Sequence, residues 1–275
     1  MHVKPRRIAI YVLLTVAAAA FLLPLLWMLC VSLKPTPEVL QPHFLPRAPT
    51  LVPYRDAIRS ESFDFLLYAR NTLIIVTLSL IGMVLSSAIA AYGFARIAFP
   101  GRGIMFTICL ATMMIPFPVI MVPTYMIFKY LGWIGTFLPL WVPAWFGSAF
   151  NIFLLRQFFL GIPRELEESA MLDGCSRWGC FWRIMLPLSR PALAVVALFH
   201  VLTVWNDLLG PLIYLSHQDQ FTLALGLQFL QSRSGDTPWN QLMAAATLII
   251  LPVLALFVLA QRSFIRGVAT TGLKG

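Results

Sequence analysis

The chain of 275 residues is 59% hydrophobic and 11% charged, with a mean hydropathy of +0.82. A water-soluble domain devotes about a quarter of its residues to charge, so a soluble enzyme, a disordered chain and a secreted disulfide scaffold are excluded. Twenty Lys and Arg against eleven Asp and Glu leave a formal charge of +9, which in a soluble protein would point to nucleic acid. Its meaning here depends on where the cations sit.

Six apolar stretches follow one another at 8–33, 71–95, 103–128, 136–155, 191–215 and 242–261. Each reaches the length of about 20 residues that a helix needs to cross a hydrocarbon core. None shows the strict alternation of a half-buried strand. A helix satisfies its own backbone groups in lipid, so the pattern predicts an all-α membrane protein with six spanning helices in one domain over 1–275. The first stretch follows Lys4, Arg6 and Arg7, but it is too long for a signal-peptide core and reads as an uncleaved span. With the N-terminus placed inside, segments 1–7, 96–102, 156–190 and 262–275 hold thirteen of the twenty cations, and segments 34–70, 129–135 and 216–241 hold seven. That asymmetry fits the positive-inside rule with both termini in the cytoplasm. The +9 is then a mark of topology, and no nucleic acid is implied.

Segment 34–70 is rich in proline (Pro35, Pro37, Pro42, Pro46, Pro49, Pro53) and reads as an extended extracytoplasmic excursion. The spans carry Pro24, Pro116, Pro118, Pro123, Pro139, Pro143, Pro211 and Pro252. Each removes a helix hydrogen bond and favours a kink, as in a bundle that rocks around a pathway, although proline is also common in spanning helices generally. Cys30, Cys109, Cys175 and Cys180 have no Cys-x-x-Cys spacing and no clustered His, so reduced thiols are expected and no metal site. No nucleotide-binding loop, no His-Glu-x-x-His and no Gly-x-Ser-x-Gly is present, so the chain has no catalytic engine of its own.

The segment 160–190 is the largest predicted cytoplasmic feature. Pro163 suits a first helical position, Glu165, Glu167 and Glu168 complement the positive end of a helix dipole, and Gly174 suits the left-handed residue that ends the helix. Leu166, Ala170 and Met171 form an apolar side, and a second short segment runs from Ser176 to Arg183 before Pro187 and Pro191. A helix of this size is a knob that docks in a groove of a cytoplasmic partner or lies on lipid. In the fifth span His200, Thr203, Asp207, Pro211 and Tyr214 recur at three- and four-residue steps, with Asn206 beside them, and fall on one helical stripe. A carboxylate inside the bilayer faces the bundle interior or water, which makes Asp207 either a pathway residue or an interhelical hydrogen-bond partner.

At this loop the sequence resembles a known family. Glu168-Ser169-Ala170, then Gly174, then Ile184-Met185-Leu186-Pro187 is similar to the E-A-A…G…I-x-L-P loop of ABC importer permeases, with Ser169 in place of the usual alanine. Asn71-Thr72-Leu73, Ala91-Tyr92-Gly93-Phe94-Ala95-Arg96, Phe99-Pro100-Gly101-Arg102, Leu131-Gly132, Trp205-Asn206-Asp207 with Pro211-Leu212, and Gln261-Arg262-x-Phe264 with a Lys274-Gly275 ending resemble the carbohydrate class, typified by the smaller maltose-importer permease. The tail Val268-Ala269-Thr270-Thr271-Gly272 departs from the commoner Thr-x-Gly-Ala form.

The resemblance implies a type I ABC importer permease in a prokaryotic plasma membrane. It also implies a second homologous permease, two ATP-binding subunits that hold ATP and Mg, and an extracytoplasmic solute-binding protein. Glu168, Ser169, Ala170, Met171, Asp173, Gly174, Leu186 and Pro187 become the residues expected to couple to the ATPase. Trp205, Asn206, Asp207, His200 and Tyr214 are the pathway candidates, and Lys274 and Gly275 are expected ATPase contacts. The expected solute is a sugar or oligosaccharide moved by alternating access. A glycerophosphate-type or polyol solute, or a self-contained channel or secondary transporter, are the alternatives.

Overall fold

The computed structural model describes the backbone of residues 5–59, 63–231 and 238–271, and the side-chain surroundings of 9–59, 63–231 and 238–259. The expected tail contacts Lys274 and Gly275 lie outside these residues. The helices in chain order are α1 (Pro5–Ser32), α2 (Val52–Arg59), α3 (Phe65–Arg96), α4 (Arg102–Ala111), α5 (Phe117–Tyr130), α6 (Leu138–Trp141) and α7 (Ala149–Leu160). There follow α8 (Glu165–Leu172), α9 (Arg177–Cys180), α10 (Leu186–Leu188), α11 (Arg190–Trp205), α12 (Leu209–Tyr214), α13 (Leu223–Gln231) and α14 (Trp239–Thr271). No strand occurs among the described residues. The all-helical expectation holds.

Four helical stretches are long and apolar enough to cross a membrane: Ala9–Ser32, Phe65–Arg96, Leu138–Leu160 and Trp239–Leu259. Two bent pairs bring the total to as many as six, Arg102–Met114 with Phe117–Tyr130 at 100° and Arg177–Leu188 with Arg190–Trp205 at 77°. The stretch 103–128, expected as one helix, is thus broken. Ile115 is extended (ψ 113) and Pro116 follows in the same region (ψ 141), because a residue before proline is pushed out of the helical basin. Pro24 and Pro252, by contrast, sit inside α1 and α14 without ending them. In the fifth stretch α11 stops at Trp205 and α12 starts at Leu209, so the stripe predicted there does not lie on one continuous helix.

The chain divides into two compact units. The first comprises residues up to Leu67 and Gly226–Pro252. Here the proline-rich segment is folded where an extended excursion was expected. Tyr54 and Ser32 share a hydroxyl hydrogen bond of 2.8 Å, Thr50 N–H donates to Leu33 O at 2.9 Å, and Lys34 Nζ donates to His43 O. Asn240 Nδ2 donates to Lys34 O at 3.1 Å. Lys34 and Glu38 are buried, and Glu38 Oε1 accepts Arg47 N–H at 3.0 Å. Proline removes donors from such a segment, so side chains supply the missing hydrogen bonds.

The second unit comprises Tyr68–Leu225 with the chain from Val253. Its core joins Ala88, Ala91, Tyr92 and Ala95 of α3 to Leu155 and Phe159 of α7, Phe181 and Met185, and Val196 of α11. Small residues at three- and four-residue steps on α3 let neighbouring helices come close, the usual packing device in membrane bundles. Gly82 on the same helix has a similar use: a Cβ there would collide with the Trp145 indole, whose Nε1 donates to Leu78 O at 3.1 Å.

Candidate functional sites: the 160–190 knob and the Asp207 cavity

The knob is built as the sequence anticipates, with one shift. α8 begins at Glu165, so Pro163 precedes the helix where it was expected to be its first residue; Arg164 stands at the cap, its carbonyl accepting the N–H groups of Glu167 and Glu168 at 3.0 Å. At the other end Gly174 has φ +84. Its N–H donates to Met171 O at 3.1 Å and Cys175 N–H reaches back to Ala170 O at 2.9 Å, the two bonds of a Schellman motif. No atom lies within 4 Å of a Cβ built at Gly174, so its requirement is backbone handedness and not space. Ser176 Oγ then accepts Gly179 N–H at 3.1 Å and starts α9. The chain runs through a π turn over Phe181–Met185 into α10, further than the Ser176–Arg183 segment expected.

Glu168, Ser169, Met171, Asp173 and Gly174 are exposed, as are Leu166 and Leu172. Ala170 is half-buried. Leu186 packs against the core of the second unit, so it anchors the loop from below, while Pro187 is exposed. Sequence reasoning treated Glu167 as one of three dipole-complementing acids. It is instead the sole buried residue of α8. Arg96, at the end of α3, meets Glu167 with Nε 3.1 Å from Oε2, the two side chains 5% and 8% exposed. Arg96 Nη2 also donates to Phe159 O in the last turn of α7 and to Ile162 O just beyond it. Tyr92, one turn earlier, donates to Arg177 O at 3.2 Å. No local pattern announces this pair, because its partners are 71 positions apart; the only cue was a cation ending a long apolar run.

The second candidate lies at the break between α11 and α12. Asp207 Oδ1 accepts Gly210 N–H at 3.1 Å, which makes the carboxylate a cap for the new half-helix. This is a third role beside the pathway and interhelical ones the sequence left open. Gly210 is constrained by it, since a Cβ there would meet the Asp207 carboxylate. Thr203, Asp207 and Tyr214 line one cavity of about 430 Å³ together with Phe117, Thr124 and Phe128. Tyr214 is stacked on Tyr125 and edge-on to Phe128, at 6.3 and 5.3 Å between centroids.

The predicted residues divide between two places. His200 is buried, shares a 3.0 Å hydrogen bond with Ser79 Oγ, and lines a different cavity with Ser148, Asn151 and Thr203. Thr203 borders both. Trp205 is buried, and Asn206 turns its Nδ2 back onto Leu202 O at 2.8 Å, so neither is brought to the Asp207 cavity. Tyr125, Phe128, Ser79 and Asn151 were not anticipated, because distant elements bring them in. No group of three His, Cys, Asp or Glu suited to a metal occurs among the described residues.

Comparison with known proteins follows the same lines. Residues 82–270 match the family described as binding-protein-dependent transport system inner membrane component. The arabinooligosaccharides transport system permease protein AraQ of Bacillus subtilis is 33% identical, over 98% of this chain and 96% of that protein. The trehalose/maltose transport system permease protein MalG of Thermococcus litoralis is 31% identical, over 98% of both chains. A chain in the crystal structure of a bacterial ABC transporter that imports the acidic polysaccharide alginate superposes with a TM-score of 0.85, covering 95% of this chain and 98% of that one at 21% identity. The fold is that of a type I ABC importer permease.

Proposed function

The chain belongs to the family of binding-protein-dependent transport system inner membrane components, and on that premise we propose that it is one permease subunit of an ATP-driven importer of a sugar or oligosaccharide. It is a multi-pass membrane protein and a transport subunit, not an enzyme. In this reading Arg102–Met114 with Phe117–Tyr130 makes one span and Arg190–Trp205 belongs to another, with Arg177–Leu188 left in the cytoplasmic segment; the total is six and both termini face the cytoplasm, in keeping with the excess of Lys and Arg in the inside segments. ATP and Mg are held by two separate ATPase subunits, and an extracytoplasmic binding protein delivers the solute. A second permease completes the pathway. The apolar surface of α4, which buries none of its residues, and of α5, which buries only Phe128, supports that pairing.

The observation that carries the reading is the knob: a helix exposed on nearly every side, fixed at its base, with Glu168, Ser169, Met171 and Asp173 free to enter a groove of the ATPase. Alternating access then follows from two global states whose balance is shifted by nucleotide on one side and loaded binding protein on the other. The cavity beside Asp207 suits a hydroxyl-rich ring, with aromatic faces for stacking and a carboxylate to accept hydroxyl hydrogen bonds. Neither cavity has a Lys or Arg among its lining residues, which disfavours a phosphate-bearing solute. Names of the relatives point the same way: their own solutes are arabino-oligosaccharides, trehalose and maltose.

Reconstitution tests it. The chain alone in liposomes is expected to move none of a panel of arabino-oligosaccharides, maltose and trehalose, with or without ATP. Combined with its partner permease, ATPase subunits and binding protein, it is expected to accumulate at least one of them when ATP is supplied. Uptake by the chain alone would overturn the proposal in favour of a channel or secondary transporter.

A further inference from the structure

We propose that the buried Arg96–Glu167 pair is the joint through which motion of the knob reaches the spanning helices, with both side chains acting as positioning residues; this rests on the importer reading above. Three observations meet at the pair. Glu167 is the sole buried residue of α8, so the helix touches the body of the unit chiefly through that side chain. Its carboxylate is held by Arg96, the last residue of α3, which carries the alanine face of the core. The same guanidinium also ties down the carbonyls of Phe159, in the last turn of α7, and Ile162, just beyond it. One planar group therefore fastens α3, α7 and α8, and arginine suits this because its fork of donors has fixed directions.

Burial makes the connection stiff. A charge pair shielded from water cannot exchange one partner for solvent without leaving the other uncompensated. A push on the exposed face of α8 is thus passed to α3 and α7 and is not absorbed at the contact. Glu167 and Glu168, adjacent in sequence, then divide the work: Glu168 is exposed towards a partner, and Glu167 faces inward and carries the load.

The experiment uses the full importer in liposomes and reads the ratio of ATPase activity with loaded binding protein to that without it, using whichever panel sugar supports wild-type uptake. Glu167→Gln and Arg96→Gln are expected to retain the ATPase subunits and basal hydrolysis while the ratio falls fivefold or more. The double variant is expected to be no worse than either single one, as for two residues that act through one contact. A merely structural role would lower basal activity and subunit retention along with stimulated activity. Ratios within twofold of wild type in both single variants, or losses that add in the double variant, overturn the proposal. Should Glu167→Gln not assemble, Arg96→Lys against Arg96→Gln decides: the lysine variant is expected to recover at least half the wild-type ratio, and equal ratios for the two refute the joint. A wild-type importer without stimulation is a different result, and it counts against the importer reading itself.

Discussion

Two carboxylates drawn out of solvent, the buried Glu167 and the half-buried Asp207, are held in opposite ways. Glu167 is met by a guanidinium that also binds the carbonyl of Phe159 in α7 and that of Ile162 just beyond the helix. Asp207 is met by the backbone N–H of Gly210, three residues away, and borders a cavity. The first arrangement ties distant elements together and resists separation. The second is local, leaves the surrounding aromatic wall independent, and lets a carboxylate exist at a helix break without a cation. One chemical group thus serves as a fastener at one site and as a lining group at the other.

This contrast can be broken at three points. The largest effect is expected at the knob. Gly174→Val places a β-branched residue at φ +84, a strain of about 1–3 kcal/mol, and uptake by the reconstituted importer should fall about tenfold or more while insertion is unchanged. Gly174→Asn, which tolerates the left-handed region and meets no neighbouring atom, should keep uptake within about threefold of wild type. Equal behaviour of the two variants would remove backbone handedness from the explanation.

At Asp207 the expected effect is smaller and separates two roles. Asp207→Asn keeps an acceptor for Gly210 N–H, so thermal stability should be unchanged while uptake falls about fivefold, the loss of ~1 kcal/mol expected when a charged acceptor becomes neutral. Asp207→Ala should in addition lower stability by about 1 kcal/mol, the usual cost of a lost cap. Wild-type uptake in the Asn variant would reduce the carboxylate to a cap. The smallest change is expected for Ser176→Ala, which removes the acceptor for Gly179 N–H at an exposed site. A stability loss of about 0.5–1 kcal/mol with uptake retained would show that the exit of the knob tolerates loosening in a way its base does not.

Much of this was legible in the sequence wherever the signal is local. The left-handed glycine, the acidic first turn of α8 and most of the spanning helices follow from spacing and composition, and the structure places them within a few residues. What escaped was set by distance or by breaks. The pairing of Arg96 with Glu167 depends on how α3 and α7 end beside each other, which no window of sequence contains. The stripe His200, Thr203, Asp207, Tyr214 was derived for an unbroken helix, yet the chain stops at Trp205 and restarts at Leu209. Thr203, Asp207 and Tyr214 still reach a common cavity, whereas His200 is claimed by Ser79. Pro116 and Pro118 did signal the break in the third stretch, but a count of prolines could not distinguish them from Pro24 and Pro252, which their helices absorb.

The bend at Ile115–Pro116 has a consequence for where the third stretch can sit in the bilayer. Its first half, Arg102–Met114, is about 20 Å long at 1.5 Å per residue, some two-thirds of the hydrocarbon thickness of roughly 30 Å. In the six-span reading proposed above, the turn falls at depth. Thr112 O, the carbonyl that Pro116 has no N–H to reach, accepts Ile115 N–H at 3.3 Å instead, but a helix break inside hydrocarbon still needs water or protein beside it, since acyl chains offer no donor. In that reading the bend marks one flank of the chain as facing an aqueous route or a companion subunit, and leaves the fatty surroundings to the straighter helices.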